Sequence, residues 1–192
     1  TILYINNNTI IIDNWSNDDN REIKCHVDTI ELFNIWNDNK YIVTCSKKGS
    51  LIRIYNLETL ELTKELRRGT DYVTIVNLSF NSDNSLLLCS SDKGTIHIFS
   101  LEDSITNQNN KTLYGLSYFK SILPKYFDSQ WSFAQIYLKN MRTYNIFSKE
   151  KFNLISISSN GCFYVLTFDT SNNSIDNNNS NKNIVSTFKF LS

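Results

Sequence analysis

The segment Ser46-Lys47-Lys48-Gly49-Ser50-Leu51-Ile52-Arg53-Ile54-Tyr55 returns as Ser91-Asp92-Lys93-Gly94-Thr95-Ile96-His97-Ile98-Phe99, with the two glycines 45 residues apart. A repeat of that period is a propeller-blade signature. A weaker copy runs from Ser158-Ser159-Asn160-Gly161 into Cys162-Phe163-Tyr164-Val165, and a degenerate one precedes them at Asn7-Asn8-Thr9-Ile10-Ile11-Ile12. In each copy a turn rich in Ser, Asn, Lys or Gly separates two short runs of aliphatic and aromatic residues, the pattern of a β-hairpin. Helical periodicity is nearly absent, so the expected fold class is all-β, a β-propeller.

The repeat lays out blades. Residues 1–26 form a partial blade and 27–68 a complete one. Residues 69–142 form a third blade and 143–192 the last. From Gly94 to Gly161 the interval is 67 residues, so about 22 residues are inserted, placed at 101–130 before the outer strand of the third blade. Loops of that length without regular structure are usually functional or disordered. Asn-rich tracts, the longest at 171–183, read as solvated low-complexity loops. About three and a half to four blades are visible where closed propellers carry 4 to 8. The chain begins at Thr1 with no signal-peptide pattern, so the expectation is a piece of a longer protein whose first blades precede it.

Composition limits the function classes. Nineteen basic residues balance nineteen acidic ones, which argues against nucleic acid as a partner. Cys25, Cys45, Cys89 and Cys162 lie far apart, without metal-ligand spacing to His26 or His97, and are expected to be small buried residues in a reducing compartment. No metal or cofactor is expected. No apolar run reaches the roughly 20 residues that span a bilayer. Catalysis is not expected either: Cys25 and His26 are neighbours that face apart in a strand, with no third group to orient them.

Anion chemistry is concentrated in Leu66-Arg67-Arg68-Gly69. Adjacent arginines in extended backbone project to opposite sides, and each guanidinium presents a planar donor fork suited to phosphate. Beside Arg68, the next repeat offers Ser90 and Ser91 at a strand end, with Thr95 and His97 on one face of the following strand. Beside Arg67, the preceding repeat offers Ser46, Lys48 and Ser50, with His26 just upstream. The competing reading is structural: Ser and Thr beside glycine are ordinary turn residues, and a strand histidine is often a satisfied internal group. The duplication on both sides of the arginines favours two anion cradles. The Trp-Asp dipeptide of ordinary WD40 blades is replaced by Tyr55-Asn56 and Phe99-Ser100.

These motifs resemble the PROPPIN family, seven-bladed propellers that bind polyphosphoinositides. The resemblance covers most of Cys25 to Phe168 and adds Leu123-Pro124-Lys125-Tyr126-Phe127 and Gln130-Trp131-Ser132-Phe133-Ala134-Gln135 to the anchors above. It departs mildly at Ser50, usually Thr, and Leu66, more commonly Phe. The resemblance implies a first headgroup pocket of His26, Ser46, Ser50 and Arg67, and a second of Arg68, Ser90, Ser91, Thr95 and His97. The implied ligands are phosphatidylinositol 3-phosphate and the 3,5-bisphosphate. In the insertion, Leu116, Tyr118, Phe119, Ile122 and Leu123 are expected to enter the membrane interface, with Lys120 and Lys125 meeting anionic headgroups. The implied role is a cytoplasmic protein, peripheral on phagophore, endosomal or vacuolar membranes, that recruits autophagy or trafficking proteins. The alternative is a WD40-type protein-interaction scaffold without lipid binding.

Overall fold

Four sheets, antiparallel but for one short strand and packed face to face in chain order, make up the computed structural model, which describes residues 1–14, 19–36, 38–102, 130–138, 141–149, 152–168 and 184–190. The first sheet holds β1 (Ile2–Asn6), β2 (Thr9–Asn14) and β3 (Asp19–Lys24). The second holds β4 (Ile30–Trp36), β5 (Tyr41–Ser46), β6 (Leu51–Asn56) and β7 (Leu62–Arg67). In the third, β8 (Ile75–Phe80), β9 (Leu86–Ser91) and β10 (Thr95–Ser100) are completed by β12 (Ala134–Tyr137). The fourth holds β13 (Thr143–Phe147), β14 (Asn153–Ser158), β15 (Phe163–Phe168) and β16 (Ile184–Phe190). The architecture is an all-β partial propeller.

The repeated glycine has a local cause. Gly49 and Gly94 close their hairpins at φ of 69° and 80°, in the left-handed region that costs an L-residue roughly 1–2 kcal/mol. A Cβ on either would also run into backbone, the Val73 carbonyl at Gly49 and the Leu138 carbonyl at Gly94. The degenerate first copy uses Asn7 at φ 55° instead. Because that hairpin joins β1 to β2, β1 is equivalent to the second strand of the other sheets.

Burial explains the hydrophobic pattern. β9 is buried at all six positions and β5 at five of six, because each lies in a sheet covered on both faces, which calls for a near-continuous apolar run. One face of the second sheet contributes Ile42 and Tyr55 to a core shared with Ile10, Ile12 and Ile23 of the first. Its other face contributes Val43, Cys45, Ile52, Ile54 and Leu66 to a core shared with Ile75, Leu87, Cys89 and Phe99 of the third. A third core joins Leu88, Ile96 and Ile98 to Leu154, Tyr164 and Leu166. Among the described residues the fourth sheet is covered on one side only, so its strands alternate: β13 buries Thr143 and Asn145 and exposes Tyr144 and Ile146.

One element was not expected. β11 (Gln130–Trp131) pairs parallel to β7, with Gln130 opposite Leu66 and Trp131 opposite Arg67. The chain leaving the insertion therefore first joins the outer edge of the second sheet and then, as β12, the outer edge of the third. Two residues are too short for a periodic sequence signal.

Candidate functional site

The double arginine ends β7, and the register fixes where each side chain goes. Arg67 lies opposite Leu51 and Glu65 opposite Arg53. Cross-strand partners share a face, so Arg67 belongs to the side of Arg53 and Thr44, toward the first sheet. Arg68 continues the ladder, its N–H donating to the Ser50 carbonyl at 2.9 Å, and its Nε–H donates to the Gly49 carbonyl at 2.9 Å. Its Nη2 donates to the Asp71 carbonyl. Cys89, Asp71 and Asp92 are its charged or titratable neighbours, while burial pulls its pKa down from the ordinary arginine value. Cys89 lies in the core between second and third sheets, so Arg68 points opposite to Arg67. The two side chains are 8% and 7% exposed, which rules out a merely solvated basic turn.

Around Arg67, Ser46 ends β5 on the face that carries Thr44 and Arg53. The His26 ring meets the Thr44 hydroxyl through Nε2 at 3.0 Å. Burial first, then the Arg53 cation, lowers the His26 pKa from 6.5 to about 4, so the ring is neutral at neutral pH. Ser50 is buried but sits in the turn rather than in β6.

Arg53 and Tyr55 were not foreseen here. Arg53 Nη1 and the Tyr55 hydroxyl both donate to the Cys25 carbonyl, each at 2.7 Å, and Arg53 pairs with Glu65 at 2.9 Å. Together they clamp the peptide that carries His26. Superposing the two repeats on their glycines sets Ile52 against His97 and Ser50 against Thr95. The ladder says otherwise: Cys45 pairs with Ile52 while Ser90 pairs with Ile96. The second sheet's turn is one residue longer, so Arg53 is the structural counterpart of His97 and Leu51 that of Thr95. Comparing turn lengths, rather than aligning glycines, would have found Arg53.

Around Arg68 the sheet brings Ser91, Thr95 and His97 together, and it sends Ser90 elsewhere. His97 lies opposite Cys89, whereas Ser90 lies opposite Ile96 on the other face. The Ser90 hydroxyl donates to Asn77 Oδ1 and lies 3.4 Å from the Thr143 carbonyl. Consecutive strand residues cannot share a side, so Ser90 belongs to the seam with the fourth sheet and is withdrawn from the second cradle. Ser91 Oγ and His97 Nε2 are buried with no hydrogen-bond partner. The other ring nitrogen, Nδ1, is 3.0 Å from the Ser132 hydroxyl. Burial, then the Arg68 cation, lowers the His97 pKa from 6.5 to about 3. A hydroxyl, a neutral imidazole edge and a guanidinium with unspent capacity suit an acceptor-rich ligand such as phosphate.

Leu116, Tyr118, Phe119, Ile122 and Leu123 lie outside the described residues. Among the described residues no group of three or more His, Cys, Asp or Glu could hold a metal ion, and no helix is long and apolar enough to cross a membrane.

Comparison with known proteins places this chain in a family. The PROPPIN family model matches residues 5–174. Autophagy-related protein 18e of Arabidopsis thaliana is 31% identical over 148 residues, covering 77% of this chain and 39% of that protein. Among solved structures, Kluyveromyces lactis Hsv2 superposes with a TM-score of 0.62 at 20% identity, over 89% of this chain and 57% of that one. The structure titled "Complex of KlAtg21 with coiled-coil of AgAtg16" gives a TM-score of 0.63 at 20% identity, over 95% of this chain and 49% of that one. The chain spans well under half the length of the curated relatives it matches.

Proposed function

The chain belongs to the PROPPIN family, and on that premise we propose that its two arginine cradles bind phosphoinositide headgroups on a membrane surface. Phosphatidylinositol 3-phosphate and the 3,5-bisphosphate are the ligands of choice. The first cradle uses Arg67, Ser46, His26 and the neighbouring Ser50, and the second uses Arg68, Ser91, Thr95 and His97. The observation that carries this reading is the pair of buried, unpartnered polar atoms, Ser91 Oγ and His97 Nε2, beside a buried guanidinium. Leaving such atoms unmet costs roughly 1–3 kcal/mol each. An oxyanion relieves that cost.

Divergence of the arginines gives two sites on one rigid strand end. A single headgroup contact near solvent is weakened by salt screening. Once one lipid is held, the other site sees lipid at high effective concentration, and such pairing strengthens binding by roughly 10² to 10⁴. Insertion of Leu116, Tyr118, Phe119, Ile122 and Leu123 into the membrane interface adds about 25 cal/mol per Å² buried. The protein then acts as a cytoplasmic, peripheral adaptor on phagophore, endosomal or vacuolar membranes. Its remaining surface recruits autophagy or trafficking proteins, a role in keeping with the coiled-coil partner named for the solved relative.

Liposome sedimentation tests the reading. Replacing Arg67 and Arg68 together by Thr in the full-length protein is expected to abolish binding to vesicles carrying phosphatidylinositol 3-phosphate. Binding that survives the double substitution supports the protein-interaction scaffold instead.

A further inference from the structure

The second cradle contains a histidine with one ring nitrogen buried and unpartnered and the other held by a residue of the link between β11 and β12. Ser132 stands between β11, which pairs with β7 beside Arg67, and β12, which pairs with β10 beside His97. The next residue is pinned as well, since the Phe133 N–H donates to the Ile98 carbonyl at 3.0 Å. The Ser132 hydroxyl is thus delivered to His97 Nδ1 at 3.0 Å by a segment anchored on both sides. Thr44 of β5 gives the His26 ring a hydroxyl at the same distance, but there the histidine lies in the connection between β3 and β4 and the contact is through Nε2.

A hydroxyl is both donor and acceptor. It can meet either neutral tautomer of an imidazole, whereas a carbonyl or an ammonium could meet only one. Before an anion binds, Nε2 has no hydrogen-bond partner and Nδ1–H can be donated to the Ser132 hydroxyl at the ring's other edge. With an oxyanion present, the Nε2 edge needs a proton. We propose that Ser132 is the positioning residue of the second cradle, a tautomer pivot that lets His97 present Nε2–H to a phosphate monoester while the ring stays uncharged. In the exchange one proton leaves Nδ1 to water and one is taken from water at Nε2, so the ring's charge is unchanged, and the Ser132 hydroxyl turns from accepting at its oxygen to donating its O–H to Nδ1. The inference rests on the headgroup-binding reading and deepens it: affinity in the second cradle depends on a residue that never touches the ligand. It also ties the exit of the insertion to both cradles through one short segment.

The test uses the full-length protein with the Arg67→Thr substitution, which leaves the second cradle alone, and soluble inositol 1,3-bisphosphate as the probe. With ¹⁵N-labelled histidine, the ring nitrogens of His97 are expected to change from the Nδ1–H to the Nε2–H pattern on adding the probe. Ser132→Ala is expected to weaken binding about tenfold, and Ser132→Thr, which keeps the hydroxyl, to restore it. Ring nitrogens that hold one tautomer throughout, or that show an imidazolium, overturn the pivot, as does a Ser132→Ala protein that binds like its parent. Those results leave the headgroup reading intact. Failure of the wild-type protein to bind the probe at either cradle removes both.

Discussion

The two histidines near the arginines set the chemistry at the scale of single residues. Burial holds His26 near 4 and His97 near 3, against 6.5 for the ordinary group. Protonation is therefore easier in the unfolded chain, and unfolding takes up protons below pH 6.5. Stability should fall as pH drops from 7 toward 4, and urea midpoints at pH 7, 6 and 5 should decline in that order. A flat series would mean that neither ring is buried neutral. The glycines separate by the same logic. Gly94→Ala meets both the left-handed φ and the Leu138 carbonyl, so a loss of at least about 2 kcal/mol is expected. Gly69 has open space around its missing Cβ, so Gly69→Ala should stay within about 0.5 kcal/mol in the same denaturation assay. The opposite facing of Arg67 and Arg68, and the shared face of Thr95 and His97, were legible from alternation alone. Ser90 was not, because two adjacent serines at a strand end give no sign of which one faces the cation. Arg53 was hidden by a one-residue difference in turn length.

Among the elements, the strands flanking each repeated turn could be read directly, because hairpin punctuation and β-branched runs coincide. β11 could not, since its existence depends on an edge supplied by a distant strand. The seams between sheets were also invisible in the sequence, as they depend on which polar residues the register brings opposite. Between the third and fourth sheets, Asn77 Nδ2 donates to the Asn145 carbonyl at 2.6 Å, and Asn77 Oδ1 accepts from Ser90 and from the Asn145 N–H at 3.2 Å. Asn77→Leu would strip the Asn145 carbonyl and N–H of their side-chain partner and leave Ser90 only its 3.4 Å contact to the Thr143 carbonyl, and roughly 2–4 kcal/mol should be lost. The comparable bond from Asn34 to the Leu78 carbonyl, at 3.0 Å, comes from an exposed side chain. Asn34→Ala should cost under about 1 kcal/mol. Equal losses at the two positions would show that burial of the network does not govern the seam.

The molecule as a whole presents two unlike ends. Ile2 and Tyr4 of the first sheet are each 47% exposed, while Tyr144 and Ile157 of the last are 59% and 56% exposed. Between those ends, the second sheet carries both arginines, Arg67 at the end of β7 and Arg68 just past it, with a covered face on either side. That placement lets one strand serve two seams: Arg67 looks toward the first sheet and Arg68 toward the third. The propeller class was legible from the repeat period, and the divergence from the alternation of a strand; the depth of both guanidinium groups required packing that no local pattern encodes. Calorimetric titration of the full-length protein with inositol 1,3-bisphosphate tests the divergence most directly. Two sites are expected in the wild type, one after Arg67→Thr, one after Arg68→Thr and none after both. A single site in the wild type, or the loss of all binding from either single substitution, would contradict the account.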